Sequence, residues 1–427
     1  MTFLHPVLQI LRLWRRNPEK NLRPILHAFL AGHQATERKE ISRTVYGLFR
    51  YRNLLDLMLA SHSRRNRLSP LLHDLLRAAA FLLLFADCRP PAVVVNETVK
   101  ICPAADKPYL NAVLRSLAKN LDNEKEHLKQ ILDREAPTLF PEFVRRELLE
   151  LGLDNSGFQS LLQEPCFHFR LIPGRENHDR LSGILSDRDL EFKELPQLNS
   201  ILFKELSPVR GLLQAGRLGY LQNSASQAVA EIAAEVASKR VLDACAAPGG
   251  KTLTLALARP QVRILANDLN PLRLLRLQTR LQSLGIGNVD LLASDLLNLP
   301  LGNAGFDLLM LDAPCSALGT LRKNPDALFK SDEKTAAQKA ALQLKLAAGL
   351  LRQFPGVPLL YSVCSFLRAE SEEICAGLAR EFSLQPRLLA PKLKTLGFSL
   401  RESEHGCYLL PGNMENDIFY ISLLAGK

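Results

Sequence analysis

Two cysteines in the C-terminal half of the chain each follow an apolar run and stand in a short polar turn. In LLMLDAPCSALG (308–319), Asp312 and a proline precede Cys315, and VPLLYSVCS (357–365) contains Cys364. A thiolate is a strong nucleophile, and a cysteine with an ordinary pKa of about 8.5 needs help to form one at neutral pH. Two thiols at predicted strand ends therefore indicate covalent catalysis, against the usual role of a free cysteine as a small core residue.

Cytosine is a base whose methylation needs this set of groups. Its C5 is a poor nucleophile, but a thiolate that adds to C6 turns C5 into an enamine carbon that can take a methyl group. An acid that hydrogen-bonds N3 assists the addition, and a base must afterwards remove the C5 proton. Asp312 and the two cysteines are the candidates for these roles, and the residues alone do not say which thiol attacks. The buried-core interpretation is kept for five other cysteines: Cys88, Cys102, Cys166, Cys375 and Cys407.

The loop CAAPGGKT, which begins at Cys245, follows an earlier apolar run and opens a predicted helix. It is not a phosphate-binding loop, because cysteine stands where GxxxxGK[ST] needs its first glycine, but Gly249 and Gly250 permit a tight turn and a close backbone approach. Asp268 ends the next apolar run, where an acid binds ribose hydroxyls, and Asp295 ends the third, where it could reach the base. This pattern favours an adenosine cofactor without phosphates, namely S-adenosylmethionine.

Five apolar runs after residue 221 must position these loops: RVLDAC, VRILAND, VDLLASD, FDLLMLDAP and VPLLYSVC. Helical patterns lie between most of them, such as NPLRLLRLQTRLQSLG, with Asn270 as N-cap and Pro271 at the first helical position. Alternating strands and helices predict an α/β doubly wound parallel sheet over residues 221–427. Each run ends in an acid or a cysteine, and ligands bind at the carboxyl ends of the strands in such sheets.

The rest of the chain predicts two further domains. Residues 1–125 are expected to form an all-helical bundle, in which LLHDLLRAAAFLLLFA is apolar nearly all round, as a central helix would be. The charged stretch NEKEHLKQILDREAP is expected to be a linker. Residues 135–220 mix short helical and strand-like pieces and are predicted to be a small α+β region for RNA binding or linkage.

Composition limits the class of protein. The chain has 427 residues and 47% hydrophobic content, too much for one ordinary core. Eight cysteines without a CxxC pair, beside nine histidines, argue against a disulfide framework and a metal site. No apolar run is long enough for a membrane span, and the first residues do not resemble a secretory signal, so a cytoplasmic protein is expected.

The positive charge is concentrated at the N-terminus. The net charge is +10, and residues 1–67 hold thirteen Lys and Arg against four Asp and Glu. A solvated basic surface would explain this excess, but a face that binds nucleic-acid phosphates is slightly favoured.

Several motifs resemble known families. LDACAAPGGKT, LDAPCSALG followed by RKNPD, and YSVCS closely resemble the RNA cytosine-C5 methyltransferases, and RTVYGLFRYRNLLD, RPPAVVVNETV and LNAVLR resemble the NusB-type RNA-binding helical domain. Together with LQNSASQAVA and LPGNMENDIFYISLL, they resemble bacterial 16S rRNA cytosine-C5 methyltransferases of the Sun/Fmu (RsmB) type.

The resemblance implies a role for each candidate residue. Cys364 would be the nucleophile, and Cys315 would help to release the product. The S-adenosylmethionine site would be lined by Cys245, Ala246, Ala247, Pro248, Gly249, Gly250, Lys251, Asp268, Asp295 and Asp312. The implied substrate is 16S rRNA, naked or in early small-subunit particles, and the expected enzyme is a monomer. Two alternatives stay open: a tRNA cytosine-C5 methyltransferase, and a NusB-like RNA-binding protein whose methyltransferase domain is inert.

The chain departs from the family pattern beside the second cysteine. Val363, Arg368 and Ser371 stand where threonine, proline and asparagine are usual.

Overall fold

The computed structural model describes residues 3–17, 20–63, 65, 67–86, 89–205, 218–302 and 305–426, with only the backbone at 175–178. The chain divides into two compact units. The first runs to Gln163 and also includes Leu321–Lys330, and the second comprises Glu164–Thr320 and the chain from Ser331 onward. The predicted three-domain division with boundaries at 125, 135 and 220 stays a prediction.

The first unit is helical, as predicted. Helix α5 is buried along nearly its whole circumference, because it is apolar on all sides and packs against several other helices. Ser69 starts it, since its side chain accepts a hydrogen bond from the Leu72 N–H at 3.2 Å and Pro70 occupies the first turn. The helices are α1 Leu4–Arg16, α2 Leu22–Leu30, α3 Ala35–Arg50, α4 Arg52–Ala60, α5 Pro70–Phe85, α6 Pro91–Ile101, α7 Lys107–Lys119, α8 Leu121–Glu135, α9 Glu142–Glu150 and α10 Asn155–Leu161.

The predicted charged linker is wrong, because those residues form most of α8. Leu128 and Ile131 lie one turn apart and are buried, and this narrow apolar stripe is enough to attach a helix that is otherwise charged.

The segment Leu321–Lys330, which contains RKNPD, belongs to the helical unit although it follows the Cys315 motif in sequence. A carboxylate oxygen of Asp326 accepts a hydrogen bond from the Leu22 N–H, which opens α2, at 2.8 Å. The Arg50 guanidinium donates to the Arg322 carbonyl at 2.8 Å. The sequence pattern did not indicate this placement.

The second unit begins with a small α+β region, which occupies the later part of the predicted stretch 135–220. The first part of that stretch holds helices α9 and α10 and belongs to the helical unit. The antiparallel sheet of the α+β region has the order β2-β3-β1-β4, and Phe169, Leu171 and Ile201 lie in its core. The elements are β1 Phe167–Leu171, α11 Arg175–Asp187, β2 Phe192–Leu195, β3 Ser200–Phe203 and β4 Gly219–Leu221.

A larger mixed sheet follows, with the order β11-β12-β13-β9-β8-β5-β6-β7, and β10 pairs with β13. The five predicted strands are all present and parallel, which confirms the doubly wound pattern. Strands β11, β12 and β13 extend the sheet in antiparallel fashion beside β9, an addition that was not predicted. The strands are β5 Arg240–Asp243, β6 Arg263–Asp268, β7 Val289–Ala293, β8 Leu308–Asp312, β9 Leu359–Val363, β10 Gln385–Pro386, β11 Ser399–Ser403, β12 Gly406–Leu410 and β13 Phe419–Ala425.

Helices connect these strands. They are α12 Ser224–Val236, α13 Gly250–Ala258, α14 Pro271–Ser283, α15 Glu333–Gln353, α16 Glu372–Glu381 and α17 Ala390–Thr395. The parallel strands end at a common edge, because Asp312 pairs with Ser362 and Asp243 with Met310. Across the described part of the chain, no helix is long and apolar enough to cross a lipid bilayer.

Candidate active site

The two cysteines lie in contact. Strands β8 and β9 are parallel neighbours, and the turns after them bring Cys315 Sγ to 3.3 Å from Cys364 Sγ. Gly319 keeps the turns close, because its N–H donates to the Cys364 carbonyl at 2.9 Å. A Cβ on Gly319 would lie 2.0 Å from the Ile418 carbonyl oxygen, so only glycine fits there.

The surroundings of Cys315 favour the neutral thiol. Its pKa is raised well above the ordinary value by the hydrogen bond with Cys364, by burial, and by the charges of Cys364 and Glu370. At neutral pH, Cys315 therefore holds its proton next to Cys364.

Asp312, the last residue of β8, is fixed on both oxygens. Its Oδ2 accepts from Lys251 Nζ at 2.6 Å, and its Oδ1 accepts from Ser362 Oγ at 3.0 Å. Lys251 is buried below the ring of Phe419, which lies 5.4 Å away. About a third of the Asp312 side chain stays exposed, so a carboxylate held in one orientation faces the edge of the sheet.

The loop after β5 makes the tight turn that the two glycines predicted. Gly249 has φ +99°, and its N–H donates to the Ala246 carbonyl at 2.8 Å. A Cβ on Gly249 would lie 2.2 Å from the Leu277 side chain, so any other residue here would have a strained backbone and would have to displace Leu277. Ala247 and Pro248 complete the turn, and Gly250 opens α13.

Asp268, the last residue of β6, ties this loop to α14. Its Oδ2 accepts from the Ala247 N–H at 3.0 Å, and its Oδ1 accepts from the Asn270 N–H at 2.9 Å. The Arg273 guanidinium lies 3.6 Å from Oδ2 and also donates to the Ala247 carbonyl. Each carboxylate oxygen still has a lone pair for a further donor.

Two further acids lie at the same edge in opposite environments. Asp243 at the end of β5 is buried, and its Oδ2 accepts from Thr252 Oγ1 at 2.6 Å, whereas Oδ1 has no partner among the described residues. Burial raises the pKa of Asp243 to about 7, and burial raises that of the Cys245 thiol to about 12. Asp295 is exposed and accepts from the Leu297 N–H at 3.0 Å.

Sequence reasoning missed the polar group that lies behind the thiols. Glu370, Gln343, Ser316 and Ser365 form hydrogen bonds to one another there. Glu370 was visible only as an acid six residues after Cys364, and nothing in its spacing indicated burial.

The chemistry of this edge fits the adenosine cofactor that the motifs predicted. Asp268 and Asp295, at the ends of neighbouring strands, offer oxygen acceptors for hydroxyl and amino groups. The edge carries four carboxyl groups in all, which would repel a pyrophosphate: Asp243, Asp268, Asp295 and Asp312. Among the described residues, no group of His, Cys, Asp and Glu could hold a metal ion.

A sheet of this order, with a glycine turn after a central strand and acids at successive strand ends, is typical of Rossmann-like methyltransferases. Residues 231–425 match the family of 16S rRNA methyltransferase RsmB/F, and residues 6–119 match the NusB family. The C-terminal part of the chain is therefore similar to the RsmB/F methyltransferases, and a region similar to NusB precedes it. This confirms the predicted resemblance, and S-adenosylmethionine is its cofactor.

Individual relatives agree with these matches. The chain is 28% identical to ribosomal RNA small subunit methyltransferase B of Klebsiella pneumoniae, with 72% of this chain and 73% of the relative covered. It is also 28% identical to a probable ribosomal RNA small subunit methyltransferase B of Synechocystis, with 79% of each chain covered. The crystal structure of PH0851 shares the fold, with a TM-score of 0.72, 21% identity, and 99% and 98% of the two chains covered.

Proposed function

We propose that this protein transfers a methyl group from S-adenosylmethionine to C5 of a cytosine in 16S rRNA, through a covalent bond between Cys364 and C6. The observation that supports this most is the 3.3 Å contact between Cys315 Sγ and Cys364 Sγ beside Asp312. The names of the Klebsiella and Synechocystis relatives support a small-subunit rRNA substrate. We further propose that the cytosine lies in an unstacked or single-stranded segment, since C6 is out of reach inside a helix.

The thiols and Asp312 would divide the work. The Cys364 thiolate adds to C6, and the electron pair of the C5–C6 double bond moves through C4 towards N3, to which the Asp312 carboxyl group in its protonated form would donate a hydrogen bond. The cofactor supplies the methyl group that C5 then accepts. A base removes the C5 proton, the double bond re-forms, and Cys364 leaves as a thiolate. Cys315, held against Cys364, assists this release.

The cofactor would be held by groups that the fold already fixes. Asp268 would bind the ribose hydroxyls and Asp295 the base, with Asp312 and the loop from Cys245 to Lys251 around the rest of the molecule. Lys251 would orient Asp312 through the 2.6 Å ion pair.

The proposal is tested with single replacements of the two cysteines. Cys364→Ala should bind RNA and cofactor yet transfer no methyl group, because C5 is never activated. Cys315→Ala should form the C6 bond and then stall, so that RNA stays attached and migrates as a slower band on a denaturing gel. The double variant should show no such band, and Cys407→Ala, which removes a buried thiol on β12, serves as the matched control.

Each other outcome has a definite meaning. A trapped adduct in Cys364→Ala instead would reverse the two roles. Full activity in both single variants would refute the covalent mechanism. Bisulfite sequencing of rRNA and tRNA from a deletion strain identifies the target, and loss of 5-methylcytosine from tRNA alone would favour a tRNA substrate. An inactive wild type without any adduct would favour an RNA-binding scaffold.

A further inference from the structure

A fully buried carboxyl group lies behind the two thiols. Glu370 is 0% exposed, and its side chain accepts three hydrogen bonds. Oε1 accepts from the Ser316 N–H at 2.8 Å and from Gln343 Nε2 at 3.2 Å, and Oε2 accepts from Ser316 Oγ at 2.6 Å. Three donors around one group satisfy a carboxylate, as burial of a charge requires.

These hydrogen bonds reach both thiol turns. Ser316 follows Cys315 directly, and its Oγ lies 3.2 Å from the Oγ of Ser365, which follows Cys364 directly. Gln343 Nε2 also donates to the Pro314 carbonyl at 3.1 Å, on the other side of Cys315. The turn that carries Cys315 is therefore held from both sides by groups that also bind Glu370.

The backbone of Glu370 is fixed in turn by the sheet. Tyr361 in β9 donates its hydroxyl to the Glu370 carbonyl at 2.7 Å and to Gln343 Oε1 at 3.2 Å. Tyr361 is fully buried and lies three residues before Cys364, so this hydrogen bond fixes the Glu370 backbone to the strand that leads into the Cys364 turn.

We propose that Glu370 is a positioning residue for the thiol pair: through its hydrogen bonds it holds the Cys315 turn against Cys364. The inference rests on the proposed function, since it matters only where one thiol attacks and the other does not.

A neutral side chain at position 370 could accept hydrogen bonds from the same groups, but it would not carry the negative charge of Glu370. Burial of a carboxylate costs several kcal/mol, and a serine or glutamine acceptor could hold the turn without that cost. A negative charge next to Cys315 disfavours the Cys315 thiolate, and Glu370 contributes to the raised pKa of that thiol.

The first test measures the thiol itself, without RNA. In a Cys364→Ala background, Cys315 is alkylated with iodoacetamide over a range of pH, with and without Glu370→Gln. Glu370→Gln should move the midpoint of Cys315 alkylation to lower pH, because the neighbouring charge is gone. Glu373→Gln, an exposed acid on α16, should leave it in place. A purely structural role would lower the melting temperature without moving the midpoint, and an unchanged midpoint would overturn the charge assignment.

The second test measures the distance between the thiols. Hydrogen peroxide oxidises Cys315 and Cys364 to a disulfide and is itself reduced to water, at a rate that depends on how the sulfurs are held. Ser316→Ala, which keeps the charge but removes one hydrogen bond, should slow this reaction, and so should Glu370→Gln. An unchanged rate in Ser316→Ala would overturn the positioning role, even if Glu370→Gln does not fold.

The third test is turnover. A misplacement of about 1 Å can reduce a rate about a hundredfold, so Glu370→Gln should transfer methyl groups roughly ten to a hundred times more slowly with unchanged cofactor affinity. Wild-type turnover in Glu370→Gln would contradict the inference. If the wild type itself transfers no methyl group, the proposed function fails, while the alkylation and oxidation results still decide on Glu370.

Discussion

Replacement of Asp268 by alanine should weaken both the cofactor site and the fold. The sequence alone suggests a binding residue whose loss leaves the fold intact. In the structure, the carboxylate accepts from the backbone N–H groups of Ala247 and Asn270 and is only 5% exposed. Alanine leaves both donors without this acceptor, one in the loop that is proposed to hold the cofactor and the other at the start of α14.

The magnitudes follow from these contacts. An unsatisfied buried donor costs about 1–3 kcal/mol. The Ala247 hydrogen bond is buried whereas Asn270 is exposed to water, so the free energy of unfolding should fall by about 1–3 kcal/mol. The ribose hydroxyls would lose their acceptor as well, at about 1–3 kcal/mol, which corresponds to a roughly 5- to 150-fold higher Kd for S-adenosylmethionine. Asp268→Asn keeps one acceptor oxygen and should lie between the wild type and alanine in both properties.

Titration calorimetry with S-adenosylmethionine and urea denaturation measure the two effects separately. Asp290→Ala is the matched control, because Asp290 lies on the neighbouring strand β7 and its carboxylate is 59% exposed beside an equally exposed Arg263. It should change neither quantity appreciably. A folded Asp268→Ala or Asp268→Asn variant with wild-type affinity would remove Asp268 from the cofactor site.

Two further predictions concern charge. Burial raises the pKa of Asp243 from 3.8 to about 7, so between these values the folded chain binds a proton that the unfolded chain has released. Stability should therefore fall by up to about 4 kcal/mol as pH rises from 4 to 7, and Asp243→Asn should flatten this slope in urea denaturation. At the N-terminus, reversal of the exposed Arg67 to Glu should weaken binding of a 16S rRNA fragment and reduce the salt slope by about one, whereas an unaltered slope would favour a solvated surface. Arg65 already pairs with Asp106 and stacks on Tyr109, so its reversal should also destabilise the helical unit, and the third arginine of this run, at position 64, lies outside the described residues.

The parallel part of the sheet could be predicted because its strands are short apolar runs that alternate with helical patterns, and this alternation is visible in a single sequence. The positions of the candidate residues followed from it, since the carboxyl ends of parallel strands share one edge. That Cys315 and Cys364 touch did not follow, because the pattern does not say that β8 and β9 are neighbours. The choice of nucleophile came from the family resemblance and from no property of the residues.

Other features depend on packing that no local pattern reveals. Helix α8 is mostly charged and buries only a narrow stripe, so composition favoured a linker. The RKNPD segment packs in the helical unit through Asp326 and Arg322, whose partners lie 304 and 272 positions away in the chain. Strands β11 to β13 carry no helix between them, so the alternation that revealed the parallel strands was missing there.

The departures next to Cys364 acquire a physical meaning from the same packing. Ser371 stands where the family usually has asparagine, and its Oγ donates to the Leu367 carbonyl at 2.7 Å and lies 2.6 Å from the Tyr408 hydroxyl. A short hydroxyl thus meets the hydrogen-bonding need of this buried position in the turn. Glu370 immediately before it keeps its three donors, and Val363 is fully buried in β9. With these residues in place, the two thiols lie in contact and the acid behind them has three donors, which favours a retained reaction over an inert domain.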